Sequence, residues 1–364
     1  MVDGPSASVP GPSLQLMVSQ QRRGAEVFAV DLAVELERRG IVAPTLALTA
    51  TDDRNALAVP SAGDTPLGLQ TLRAVRREAA GVQSVVAHGS RTLPACSIAL
   101  VGTGVPFAYR SIGDPRTWSS RGPRRLRTTM QLRRAALVAA LWPGGADAIA
   151  AQHSVPSAKI RVIPNGVPAQ RCPLVDDDAR AEARARLGLP ADATVVGYVG
   201  SLTPEKNVGV AIAAVGELRD VFLLVAGDGP ELLALEAQAD RDAHGRVRFA
   251  GTLPGAGLAL AASDAVVLPS RTEGMPGVLI EAGLSGRPAV ASDVGAVSEI
   301  ISDGETGVLV SPGDMAGLAA GLRRVLGEGG HDLGLAARRR CLARFEIRVV
   351  GAAWADLLVD LARD

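Results

Sequence analysis

The chain is poor in several things, and each shortage excludes something. Its three cysteines, Cys96, Cys172 and Cys341, are odd in number and widely spaced. That argues against a disulfide framework or a cysteine zinc site and suits free thiols in a reducing compartment. Only two lysines, Lys159 and Lys206, stand among 38 basic residues, so each persists against a strong arginine bias. No run approaches the ~18 consecutive apolar residues that a membrane span needs. The opening residues 1–13, MVDGPSASVPGPS, have neither a basic start nor an apolar stretch and read as a disordered tail, not a signal peptide. A cytoplasmic protein is expected.

What is present is ordinary in bulk and uneven in detail. With 364 residues, 47% apolar and 21% charged, the composition is that of a soluble globular protein of two domains. The formal net charge of zero conceals 19 basic against 11 acidic residues in 1–170, and 19 against 27 in 171–364. Such an asymmetry suggests different ligands for the two halves. Residues 110–134 carry eight arginines and one acid, Asp114. This segment reads as a solvated basic face, or as a landing site for an anionic acceptor or for peripheral contact with the inner face of the membrane. No nucleic-acid partner is expected.

Short apolar runs alternate with helical periodicity, the pattern of parallel sheets covered by helices on both faces. Leu14–Ser19 reads as a buried strand, followed through Gly24 by a helix over about Ala25–Arg39, stopped at Gly40. Val85–His88, Pro106–Arg110 and Ala136–Trp142 read as further strands. A break at Ile163–Pro168 leads into a polar stretch with Asp176, Asp177 and Asp178, which reads as a solvated linker. The rhythm then restarts, with strands at Val195–Gly200, Val221–Ala226, Arg246–Ala250, Ala265–Pro269, Pro288–Ser292 and Gly307–Val310. Helices are expected between these strands and after the last of them, closing with one over Ile347–Leu361. His153, His244 and His331 fall on helical or loop surfaces by pattern.

In open α/β sheets, ligands bind beyond the carboxyl ends of the strands. The second half has four glycine-containing turns in such places. Gly200–Asn207 puts Lys206 at an expected helix start, where amide N–H groups and an ammonium together suit a diphosphate. One such charge pair is worth roughly 4 kcal/mol at 4 Å and an effective dielectric near 20. Gly227–Glu231 places Pro230 where a first helical residue tolerates proline. Arg248–Pro254 offers backbone to a nucleobase edge. Pro269–Gly295 carries Glu273 in a loop and Glu281 on the following helix, with seven residues between them. A loop carboxylate can accept from sugar hydroxyls and one a turn into a helix from a ribose diol.

This last string resembles the E-x(7)-E signature of the family 4 retaining glycosyltransferases. The likeness extends to RGAEVFAVDLAVELERRG, KIRVIPNGV, VGSLTPEKN, VAGDGPE and DGETGVLVSPGD, and covers nearly the whole chain. It implies a GT-B fold: two Rossmann-like, doubly wound parallel-sheet domains facing across a cleft. By that resemblance residues 14–168 bind the acceptor and residues 169–345 the nucleotide sugar, while 346–364 form a helix packing back on the first domain. Lys206 would bind the donor diphosphate, Glu273 the sugar hydroxyls and Glu281 the ribose. Gly274, Met275, Pro276, Gly277 and Val278 would lie against sugar and phosphate, Thr252 and Leu253 near the base, and Gly24 beneath the diphosphate and the acceptor.

Four positions depart from the family pattern. Ser201 follows Gly200 where an arginine usually shares the diphosphate, with Arg271 a candidate replacement. Pro276 removes one N–H from the donor loop, and Arg23 replaces the first of two glycines. Ile112 stands where many members carry a histidine, leaving Asp114 as the nearest polar substitute and His88 as a cleft-lining candidate. The reading that results is a retaining, metal-independent transferase without a cofactor, moving a sugar from UDP (GDP next) to an unidentified acceptor hydroxyl. The alternatives are a catalytically impaired nucleotide-sugar-binding protein and a nucleotide-sugar epimerase on the same fold.

Overall fold

The computed structural model describes residues 10–53, 55–118 and 122–362. Of the expected disordered tail, residues 1–9 lie outside the described residues, whereas Ser13 already opens the first strand. The chain divides into two compact units, Met1–Gly166 with Ile347–Asp364, and Val167–Glu346.

The first unit runs β1 (Ser13–Ser19), α1 (Gly24–Arg38), β2 (Thr45–Thr49), β3 (Ser61–Gly63), α2 (Leu69–Ala79), β4 (Ser84–His88), α3 (Thr92–Ala99) and β5 (Phe107–Arg110). It continues with α4 (Gly122–Arg134), β6 (Leu137–Ala140), α5 (Pro143–His153) and β7 (Ile160–Val162). The strands form one parallel sheet in the order β3-β2-β1-β4-β5-β6-β7. Central strands are buried along their length, as the continuous apolar runs of a two-sided parallel sheet require.

The second unit begins with α6 (Asp177–Leu187), then β8 (Thr194–Val199), α7 (Val208–Gly216), β9 (Val221–Ala226), α8 (Leu232–Asp242), β10 (Val247–Gly251) and α9 (Gly257–Ala262). There follow β11 (Ala265–Leu268), α10 (Gly277–Leu284), β12 (Ala289–Ser292), α11 (Val297–Ile300), β13 (Gly307–Val310), α12 (Met315–Leu326) and α13 (Gly330–Arg344). Its sheet is parallel with order β10-β9-β8-β11-β12-β13. Both sheets wind outward in two directions from a central pair, β1/β4 in one and β8/β11 in the other, the doubly wound arrangement whose crevice lies at that switch point.

The last helix, α14 (Ile347–Leu361), belongs to the core of the first unit. Its Ile347, Val350, Trp354, Leu357, Leu358 and Leu361 pack with Phe28, Leu32 and Leu36 of α1. Burying each such side chain stabilises by about 1.5–3 kcal/mol, which explains why the chain returns after completing the second unit. Gly351 permits the contact, because a Cβ there would meet Glu35 Cγ at 2.5 Å.

Several expectations need correction. The Asp176–Asp178 stretch is not a linker but the start of α6. The Asp176 carboxylate accepts from Ala179 N at 2.8 Å, and Asp177 and Asp178 sit in the positive first turn. His153 is buried, 1% exposed, with Nδ1 2.8 Å from Thr129 Oγ1; His244 and His331 are exposed. Pro230 precedes the helix rather than starting it, since α8 begins at Leu232.

Candidate functional site

The switch point of the second unit brings together the loops after β8 and β11. After β8, Pro204–Lys206 form a 3-10 turn, and Asn207 then takes a left-handed conformation, φ 54°. The helix α7 begins at Val208, as expected, but Lys206 does not lead straight into it. The left-handed residue separates it from the helix, and its side chain turns across to the neighbouring loop. There Lys206 Nζ donates to Glu273 Oε1 at 2.7 Å, and Ser270 Oγ donates to the same oxygen at 2.7 Å. The two loops are tied again by Arg271 N to Glu205 O, 2.8 Å, and Asn207 Nδ2 to Pro269 O, 3.4 Å. Backbone hydrogen bonding, with Thr203's hydroxyl, lowers the pKa of Glu205.

Glycines set how closely the loops stack. Gly227, after β9, has φ 148°, and a Cβ there would run into Gly200 O. Gly295, after β12, has φ 60°, and its Cβ would collide with Glu273 O, while Ala296 N donates to Gly274 O at 2.8 Å. The Glu273 loop thus rests on backbone with no room for a side chain below it. Tyr198 supports the β8 loop, donating from its hydroxyl to Ser201 O at 2.8 Å. Burial, reinforced by the carboxylates of Glu273, Glu205 and Glu231, raises the Tyr198 pKa and keeps it a phenol donor.

Beyond Glu273 the chain passes through Gly274, buried Met275 and Pro276 into α10. Pro276 is the residue before the helix, φ −71°, ψ 115°, so its missing N–H falls outside the helical turn. The first-turn amides of Gly277 and Val278 have no acceptor within the helix, and the space beside Gly277 is open. Glu281, one turn further, is 20% exposed and lies 3.6 Å from Arg171 Nη2. Arg171, Ser270, Asn207 and Gly295 were not picked out from the sequence; only the S-x-x-E spacing of Ser270 and Glu273 offered a readable signal.

Other expected residues sit further out. Gly200 and exposed Ser201 open the β8 loop, where Ser201 Oγ lies 3.4 Å from Thr203 Oγ1. The Arg271 side chain is exposed. Thr252 and Leu253 follow β10, two strands away from β8 on the same edge of the sheet; Leu253 packs against the apolar cluster of that flank.

In the first unit, Gly24 begins α1 with open space around it, after β1 at the switch point. His88 ends β4, buried, with Nε2 3.0 Å from Gln15 Oε1; burial and the Arg110 charge hold its pKa well below 6.5. Asp114 does not face an open site. Its carboxylate caps a 3-10 turn through Arg116 N at 2.9 Å and pairs with the Arg116 guanidinium at 2.8 Å. Arg110, which no motif in the sequence signals, is 1% exposed, lies 3.8 Å over the Phe28 ring and donates to Asn165 Oδ1. Burial pushes the Arg110 guanidinium down to about 9, opposed by Glu26. Glu26 is raised by burial, with Arg23 and Arg110 opposing.

Residues 22–171 match the family model described as Glycosyltransferase Family 4, and residues 193–328 that described as Glycosyl transferases group 1. Anabaena HepE in complex with UDP-glucose superimposes with a TM-score of 0.85 at 23% identity, covering 96% of this chain and 99% of that one. Sucrose-phosphate synthase from Thermosynechococcus elongatus gives 0.81 at 21% identity, covering 96% and 98%. Two doubly wound units and these neighbours show the GT-B fold. The chain belongs to family 4 of the glycosyltransferases.

Among curated relatives, Mycobacterium tuberculosis glycogen synthase is 38% identical over 215 residues, 57% of this chain and 50% of that protein. The GDP-mannose-dependent alpha-(1-6)-phosphatidylinositol monomannoside mannosyltransferase of Mycolicibacterium smegmatis is 33% identical over 219 residues, 56% and 57%. The chain spans about half the length of the curated relatives it matches.

Proposed function

We propose that this protein transfers a sugar from a nucleoside diphosphate to an acceptor hydroxyl with retention at the anomeric carbon, without a metal ion, and that UDP is the favoured nucleotide, GDP next. The observation that carries the reading is the Lys206–Glu273 pair at the switch point of the second unit, next to the open amides of α10. Lys206 and those amides would neutralise the diphosphate, Glu281 would accept from the ribose diol, and Glu273 from sugar hydroxyls. Thr252 and Leu253 would adjoin the base, with Arg271 able to add charge in place of the absent loop arginine. UDP-glucose bound to a neighbour of the same fold supports the choice of nucleotide.

In this reading the bond from the anomeric carbon to the diphosphate oxygen breaks while the acceptor oxygen bonds to the same face of that carbon. The acceptor proton passes to the departing phosphate oxygen. No protein base is needed, which fits Ile112 and the occupied Asp114 carboxylate. Catalysis then comes from positioning and from stabilising charge on the leaving diphosphate. We place the acceptor in residues 14–168, where Gly24 opens α1 and His88 shapes the ground beneath, and the donor in residues 169–345.

The test is incubation with UDP-glucose and an acceptor panel, with and without EDTA, followed by nuclear magnetic resonance of the anomeric proton. Product or hydrolysed sugar of the donor's anomeric configuration, unaffected by EDTA, is expected. Inverted product, EDTA-sensitive turnover, or isomerisation of the donor without an acceptor overturns the reading.

A further inference from the structure

The α3–α4 face of the first unit carries a feature that sugar transfer does not use. Among the residues of α4, only Leu132 is fully buried. Leu126 and Met130, one turn apart on the outward side, are each 63% exposed, and Ile98 at 50% and Val101 at 54% lie on and just after the neighbouring α3. Between the helices runs a groove of about 390 Å³ whose lining includes Ile98, Pro123, Leu126 and Met130, with Arg127 and Arg134 among its walls. Large apolar side chains scattered singly on a surface need no explanation, but a contiguous group does.

Charge surrounds this apolar strip. From Pro115 to Ala146 the sequence contains no acidic residue. Arg125 is held by Gln152 O at 2.7 Å, and Arg133 reaches Ser154 O at 3.5 Å. Arg124, Arg127 and Arg134 form no ion pair among the described residues, and all three are exposed. A short helix with leucine and methionine flanked by unpaired arginines matches a surface that is anionic outside and hydrocarbon just beneath. An acidic glycan would satisfy the arginines and leave the apolar strip wet. Among anionic surfaces, a bilayer satisfies both.

We infer that the α3–α4 face docks the protein on a bilayer containing anionic lipid, with Leu126, Met130 and Ile98 entering the headgroup region and Arg124, Arg127 and Arg134 contacting lipid phosphates. The inference concerns attachment alone and holds whichever nucleotide sugar the second unit takes. No helix among the described residues is long and apolar enough to cross a membrane, so the contact is peripheral. Attachment through three arginines is electrostatic in range and weakens as salt shortens the Debye length to a few Å.

The test is flotation of the full chain with vesicles of phosphatidylcholine alone and of an equimolar mixture with phosphatidylglycerol, at low salt and at high salt. Binding to the anionic vesicles only, reduced by salt, is expected. Replacing Arg127→Gln and Arg134→Gln together should weaken binding by about tenfold or more, since each arginine near such a surface contributes roughly a fivefold factor. Leu126→Ser with Met130→Ser should weaken it at both salt concentrations. A UDP thermal shift on each variant reports folding and the donor site separately, so failure here leaves the transferase reading untouched. No binding to anionic vesicles at low salt, binding undiminished in both variants, or retention by an acidic polysaccharide without vesicle binding overturns the inference.

Discussion

Lys206 and Glu273, 67 residues apart in sequence, meet at 2.7 Å across two loops of the second unit, with Ser270 completing the contact. The pair joins the group proposed for the diphosphate to the group proposed for the sugar. Each therefore competes with ligand for the other, and the two are expected to separate when the donor enters.

Loss of the ammonium should be costly. Lys206→Ala is expected to lower kcat/KM by about 10²–10³-fold, the range seen when one preorganised donor to developing negative charge is removed. Steady-state kinetics with the donor varied measures it, and Lys206→Arg should recover part of the loss.

Neutralising its partner should separate two effects. Glu273→Gln keeps a polar group beside Ser270 but frees Lys206 from a competing carboxylate. UDP alone is expected to bind as well or better, while transfer from the sugar donor falls. Calorimetry with UDP, set beside turnover, distinguishes the two; equal loss of both contradicts the competition.

The loop stacking predicts a stability effect. Gly227→Ala puts a methyl group into Gly200 O, and Gly295→Ala puts one into Glu273 O at φ 60°. Each should destabilise by about 1–3 kcal/mol or more, seen as a lowered midpoint in denaturant with an unchanged m-value. Gly24→Ala, where nothing stands within 4 Å, should leave folding nearly unchanged.

His88 predicts a pH dependence. Its folded pKa is depressed well below 6.5, so below pH 6.5 the unfolded chain takes up a proton that the folded chain does not. Stability is fully present above that value and falls as pH drops, with a slope approaching about 1.4 kcal/mol per pH unit from this one group. Glu26, raised by burial, acts oppositely: its folded form holds a proton longer, so stability declines as pH rises from 4.5 through the raised value. Denaturant titrations of His88→Asn and Glu26→Gln across pH 4–8 should remove, respectively, the decline on lowering the pH below 6.5 and the decline on raising it above 4.5 (about one proton each).

Much of the fold was legible because parallel strands announce themselves as short apolar runs. Val221–Ala226 and Gly307–Val310 coincide with β9 and β13, and Ile347–Leu361 with α14. The helix α6 was missed because its buried face is narrow, with Ala183 and Leu187 as its apolar members, so acids and arginines dominate the pattern. The strand β3, Ser61–Gly63, was hidden likewise: it is a three-residue edge strand of sequence SAG, directly after Pro60, with no apolar run to mark it. Lys206 was legible as a residue but not in placement, since the left-handed Asn207 that turns it towards Glu273 is a tertiary choice. Arg110 could not be found at all from spacing: its partners lie in two distant segments, Glu26 and Phe28 on α1 and Asn165 after β7.

The most direct measurement is isothermal titration of UDP and GDP into the wild-type chain and into Lys206→Ala. The account predicts one site per chain, saturating below about millimolar concentration (a binding free energy beyond roughly −4 kcal/mol), and weakened about tenfold or more in the variant. No heat from either nucleotide at millimolar concentration, or the same affinity in both proteins, would contradict it.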